Sequence, residues 1–285
     1  MWSRRRAAAI ALIMLAAGVV LLVRPAPHSG LGSRRAPQRS GPGAAIPDRR
    51  PHEPRPSACP RHELVVGRSV QGRPIRVTVL GDRRAARPLL VVGAIHGDES
   101  AGLRVVRALI DARPSGQTAI WILQDLNPDG VAAGTRQNAR GVDLNRNFPL
   151  GWRPLGHRGD QQYSGGRALS EPESRAAQRL MLGIRPRIAI WFHQPLGVVD
   201  DSGGAPAVER RFARLAGLPL RRLTRYPGSA TGWENHRIRG SSAFVVELRA
   251  GRLSASGAAR LADGVLRLAD SRVRTPVPRR LNPRC

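Results

Sequence analysis

The chain predicts an α/β domain with helices on both faces of a sheet, and three observations point there. From residue 60 onward, short apolar runs alternate with longer amphipathic stretches. The runs are rich in Val, Ile and Leu and too short to be buried helices. Gly, Pro and Asp cluster between them, as turns and helix ends require.

Taken in order, the strand candidates are 76–80 (RVTVL), 89–93 (LLVVG), 119–123 (AIWIL), 188–192 (IAIWF) and 243–247 (AFVVE). The helical candidates between them are 100–112, 171–183, 206–216 and 254–270. Ser170-Glu-Pro-Glu173 has capping-box spacing with proline inside the first turn, which predicts a helix start. Asn127-Pro-Asp-Gly130 reads as a turn after a strand. The polar, Gly-rich insert over 127–169 is too long for an idle connection and reads as functional.

Upstream, Arg4, Arg5 and Arg6 precede the uncharged stretch 7–23, the pattern of a signal peptide or uncleaved signal anchor. Such a segment contacts the membrane and places the remainder outside the cytoplasm, either anchored or secreted. Residues 24–59 are rich in Pro, Arg and Gly without apolar periodicity and read as a disordered linker. The domain then occupies 60–275, followed by a tail over 276–285. Cys59 and Cys285 flank it and could pair in an oxidising compartment, or stand as two free thiols.

The formal net charge of +27 invites a nucleic-acid reading. All 47 basic residues are arginine, scattered along the chain, and aromatic residues make up only 4%, too few for a stacking platform. Nucleic acid is therefore not the expected partner, whereas an anionic surface such as a cell wall is compatible.

Open α/β sheets bind ligands at the carboxyl ends of their strands. His96 and Glu99 lie just past the strand ending near Gly93, at a spacing that lets both converge on a metal ion. His193 ends another apolar strand and offers a third ligand, while Glu247 puts a carboxylate into a third. Burying that charge is costly without a partner or a metal. The alternatives are a satisfied core histidine at 193 and a salt bridge from Glu247 to Arg249. The stretch RQNARGVDLNRNFP at 136–149 is dense in guanidinium and amide groups, which suit carboxylate recognition and oxyanion stabilisation.

Taken together, HGDE, NPDG, R-x-N-x-x-GVDLNRNFP, the later Phe192-His193 and Val246-Glu-Leu248 resemble the zinc carboxypeptidases of the carboxypeptidase A type, over roughly residues 64 to 270. The short form, with G-R-S-V-x-G-x-P from Gly67 to Pro74, Tyr163-Ser-Gly165 and S-E-P-E, is most similar to that family's bacterial branch of murein peptide amidases. The resemblance implies a mixed, mostly parallel twisted sheet and one Zn2+ per chain held by His96, Glu99 and His193. It implies Glu247 as general base, Arg136 polarising the scissile carbonyl, and Asn145 with Arg146 gripping a substrate carboxylate. Asp143 would orient His96 through its far ring nitrogen. Tyr226 and Thr231 would contact the substrate side chain, and neutral Thr231 argues against a pocket made for a basic one. Gln194 departs from the amidase pattern, which carries an acidic residue after the histidine.

The expected activity is hydrolysis of an amide bond in a peptide or muropeptide, at γ-D-glutamyl-diaminopimelate. Alternatives are removal of C-terminal residues from ordinary peptides, deacylation of small N-acyl amino acids, or an inactive wall-binding module.

Overall fold

In the computed structural model, residues 61–85, 88–112 and 118–271 are described. The expectations for the signal segment 1–23, the linker 24–59, the tail 276–285 and the Cys59–Cys285 pair lie outside these residues.

The chain runs β1 (Arg61–Arg68), β2 (Pro74–Leu80), β3 (Leu89–Val92), α1 (Ala101–Asp111), β4 (Ile120–Leu123) and α2 (Pro128–Ala133). A 3-10 turn (Leu144–Arg146) precedes α3 (Pro172–Ile184), β5 (Ile188–His193), β6 (Leu196–Asp200) and α4 (Pro206–Ala216). Then come β7 (Leu220–Arg221), α5 (Ala230–Arg237), β8 (Ser242–Arg249) and α6 (Ala255–Ala269). The strands form a single 8-stranded sheet in the order β1-β2-β4-β3-β5-β8-β6-β7. The central strands β4, β3, β5 and β8 are mutually parallel. Antiparallel pairing joins β1 to β2, β2 to β4 and β6 to β8. The sheet is therefore mixed with a parallel centre, as expected.

Side-chain alternation divides the core into two layers. Leu89 and Val91 point into one, with Val105 and Leu109 of α1, Phe212 of α4 and Val265 of α6. Leu90 and Val92 point into the other, with Ala177 and Met181 of α3 and Trp233 of α5. Helices on both faces leave the central strands no wet side, which is why they read as unbroken apolar runs.

Two local expectations are corrected. Ser170 does not cap α3, because its hydroxyl donates to Glu171 Oε1 (2.7 Å) and accepts from Asn147 Nδ2 (2.9 Å). The N-cap residue is instead Glu171, with Pro172 opening the helix and no side-chain cap bond. The Asn127–Gly130 turn is the first turn of α2, with Asn127 as its cap accepting from the Gly130 N–H at 3.0 Å. Strands β1, β6 and β7 and helix α5 were not anticipated. β1 is an edge strand with Val65 half exposed, and β7 has only two residues, so neither carries a buried pattern.

Candidate metal centre and active site

β3 ends at Val92, and the chain then makes an irregular loop before α1 begins at Ala101. This loop carries His96 and Glu99. It is held down by close backbone approach: a Cβ on Gly97 would lie 1.9 Å from the Gly130 carbonyl carbon of α2. Only glycine permits that contact. β5 brings His193 to the neighbouring strand end, and β8 sets Glu247 directly opposite it in parallel register.

The two histidines and Glu99 meet. His96 Nδ1 lies 2.8 Å from Glu99 Oε1, and His193 Nδ1 lies 2.9 Å from Glu99 Oε2. The imidazole centroids are 4.8 Å apart, and all three residues are buried. Their ligand atoms all fall within 4.8 Å of one another, and this is the one such group among the described residues. On its far side, His96 Nε2 lies 3.0 Å from Asp143 Oδ1. Asp143 is fully buried, and Arg136 donates to its other oxygen from Nε (3.1 Å) and Nη2 (3.0 Å). Arg136 Nη1 donates to Glu99 Oε1 at 3.1 Å, so this guanidinium braces both carboxylates.

The electrostatics favour a cation at this point. Burial opposes a charged His96, but the charge and hydrogen bond of Asp143, with Glu99, outweigh it and push the ring up to about 9. Burial likewise works against the Glu99 carboxylate, yet His193 and His96 hold it well below the usual range. A pocket that stabilises a proton this strongly between two imidazoles and a carboxylate also suits a divalent ion. With Asp143 accepting the Nε2–H, a His96 ring that has given up its second proton to a metal would turn Nδ1 toward the same point as His193 Nδ1, and the donor set fits zinc.

Glu247 is half buried, and its Oε2 has no hydrogen-bond partner among the described residues. Burial raises its affinity for a proton, the neighbouring His193 opposes this, and Glu99 adds to it. It makes no ion pair with Arg249 among the described residues, which disposes of the salt-bridge alternative.

The 127–169 insert proves to be scaffold and site at once. Asn127 Nδ2 donates to the Arg136 carbonyl (3.2 Å), fixing the backbone that carries the guanidinium. Asp129 accepts from Ser69 Oγ, the Gln71 N–H and Arg73, docking the Gly67–Pro74 turn. Asn138 donates to both Glu171 and Glu173. Asn145 accepts from the Ala230 N–H at 2.9 Å, leaving its Nδ2 without a partner among the described residues. Arg146 is buried, its guanidinium stacks on the Tyr226 ring at 4.2 Å, and its Nε has no partner among the described residues. Gly228 keeps the Tyr226 loop in place: its φ is +71°, and a Cβ there would lie 2.1 Å from the Arg146 carbonyl oxygen.

His96, Glu99, His193, Glu247, Arg136, Asn145, Arg146, Tyr226 and Thr231 all line one cavity of about 370 Å³. Asp143 stands behind it. Sequence reasoning missed two charged lining residues, Asp200 at the end of β6 and Arg225 on the loop before α5. A carboxylate closing the apolar run of β6 was the signal available for the first.

The sequence pattern of the zinc carboxypeptidase family matches residues 56–195. Murein peptide amidase A of Vibrio campbellii is 30% identical over 184 residues, which span 60% of this chain and 73% of that protein. The Escherichia coli enzyme of the same name is 29% identical over 180 residues, spanning 59% and 74%. The crystal structure of murein-tripeptide amidase from Escherichia coli O157 superposes with a TM-score of 0.62 at 26% identity, covering 75% of this chain and 94% of that one. Carboxypeptidase A from Helicoverpa armigera shares the fold, at a TM-score of 0.63 and 18% identity. The protein belongs to the zinc carboxypeptidase family and is a peptide-bond hydrolase of the metallopeptidase and amidase class.

Proposed function

We propose that the protein is an exported zinc amidase that cleaves the γ-D-glutamyl-diaminopimelate bond of murein peptides. The observation that carries the reaction class is the convergence of His96, Glu99 and His193 beside Glu247, in a cavity lined by Arg136, Asn145 and Arg146. Its murein substrate is supported by two relatives named murein peptide amidase A and one structure titled murein-tripeptide amidase. Export is supported by Arg4–Arg6 followed by the uncharged stretch 7–23.

His96 Nδ1, His193 Nδ1 and Glu99 would hold the zinc. When bound, zinc supplies Lewis acidity, which lowers the pKa of water and polarises a carbonyl. Asp143 keeps the His96 ring in the tautomer that leaves Nδ1 free. Glu247 takes a proton from the attacking water on its unpartnered oxygen and returns it to the leaving nitrogen. Arg136 spends three N–H groups on Asp143 and Glu99, and its remaining two can face the oxyanion that develops on the scissile carbonyl. Asn145 Nδ2 and Arg146 bind the carboxylate of the leaving residue.

Mass spectrometry of products from a defined muropeptide mixture tests this reading. Release of diaminopimelate-containing fragments with a newly free amino group, together with the complementary fragment ending in D-glutamate with a free γ-carboxylate, is expected. Release of C-terminal residues from ordinary peptides, with the murein bond untouched, would overturn it.

A further inference from the structure

The cavity wall carries an ion pair that the chemistry above does not use. Asp200 is buried and has both oxygens occupied: Oδ1 accepts from the Leu223 N–H (2.9 Å), and Oδ2 from Ser202 Oγ (2.8 Å) and Arg225 Nη1 (2.6 Å). Arg225 has a side-chain exposure of 43%, and Asp200 is its sole ion-pair partner among the described residues. A guanidinium carries five N–H groups, so Arg225 keeps four to offer the cavity. The next residue, Tyr226, turns onto Arg146 instead. Consecutive side chains of one loop thus mark two separate cationic points on the same wall, Arg146 and Arg225.

Their spacing relative to the reacting groups follows from the sheet. β6 runs antiparallel to β8 with Val198 opposite Glu247. Asp200 lies two residues further along, about 7 Å at the strand rise. That offset is the reach of one long side chain from the scissile bond. A neutral or cationic side-chain end would gain nothing from a guanidinium there, whereas a carboxylate forms a charge-assisted pair with it.

We infer that Arg225, anchored by Asp200, is a specificity-determining residue that receives a second carboxylate at the far end of the leaving residue's side chain. The leaving residue is then a dicarboxylic amino acid, with Arg146 and Asn145 taking the carboxylate next to the scissile nitrogen. The inference rests on the proposed amidase reading and deepens it. Its competitor is a loop staple, in which the pair only fastens residues 223–225 to β6.

Lysine is diaminopimelate with one carboxylate removed, which gives a clean test. The zinc-loaded full chain is assayed on γ-D-glutamyl-meso-diaminopimelate and on γ-D-glutamyl-L-lysine, with KM and kcat resolved. The wild type is expected to prefer the first by roughly 10- to 100-fold in kcat/KM, mostly through KM. Arg225→Ala is expected to bring that ratio to about one. Arg225→Gln, which retains an N–H for Asp200 and so keeps a staple, is expected to lose the preference equally. A preference that survives in Arg225→Gln, or a ratio unchanged in Arg225→Ala while both substrates slow alike, overturns the inference. If the wild type cleaves both substrates equally, the inference alone falls. If it cleaves neither, the amidase reading falls with it.

Discussion

Glu247 and Arg249 are two residues apart on β8 and so share a face of the strand, yet no ion pair joins them among the described residues. The carboxylate instead faces His193 across the parallel register, with one oxygen unspent. Replacing it by glutamine keeps the shape and removes the proposed base. Glu247→Gln is expected to lower kcat by about 10²- to 10⁴-fold. Zinc content, measured by atomic absorption on the purified variant, should stay at the wild-type level because this residue is not among the proposed ligands. Loss of metal along with activity would show that the role assigned here is wrong. Glu247, His193 and the HGDE pair were legible in the sequence because each sets a titratable group within, at the end of, or just past an apolar strand run. Arg225 was not, because nothing local distinguishes a cationic wall residue from a solvated one in a chain with 47 arginines, and Asp200 left only the faint trace of a carboxylate closing the short run Leu196–Asp200.

At the scale of elements, Gln194 explains how α1 begins. Ser100 occupies the N-cap position without a side-chain bond, and the Ala101 N–H is satisfied by Gln194 Oε1 at 2.9 Å, from 93 residues away. The same amide donates to the Arg249 and Gly251 carbonyls, each at 2.9 Å, and so ties the α1 loop to the end of β8. An acid at this position could accept from Ala101 but would turn a lone pair on both carbonyls. Gln194→Glu is expected to destabilise the fold by about 1–3 kcal/mol, read from the urea midpoint. An unchanged midpoint would mean that the bridge contributes nothing. A cap supplied by tertiary contact leaves no trace in local sequence, which is why the start of α1 was placed by periodicity alone. α5 was missed for a related reason: its helical stretch buries Trp233 and Glu234 through packing rather than through a clear apolar stripe.

The whole molecule inherits a pH dependence from a buried acid. Glu234 has no exposure, accepts from Trp191 Nε1 (3.3 Å) and Ser241 Oγ (3.0 Å), and is pushed up by burial to about 7. Its folded value lies above the unfolded 4.5, so the native state holds the proton more tightly. The stability it contributes is full below pH 4.5 and is lost as pH rises toward 7. Glu234→Gln keeps a polar group of the same size and is expected to flatten the slope of unfolding free energy against pH across that window. A slope identical to that of the wild type would place its origin elsewhere. The architecture was readable because a parallel sheet covered on both sides forces apolar runs and helical stretches to alternate. What was not readable is the flank beyond β8, where β7 has only two residues and β6 owes its place to antiparallel pairing with β8.

Asp143 serves two clients from one carboxylate: the His96 ring on Oδ1 and the Arg136 guanidinium on Oδ2. Ligand aim and cavity charge therefore cannot evolve, or be engineered, one at a time. In a double-mutant cycle of Asp143→Asn and Arg136→Gln, the combined loss in kcat/KM should fall short of the sum of the single losses by more than about 0.5 kcal/mol. Strict additivity would mean that the shared acid is two independent bonds that happen to leave from the same residue.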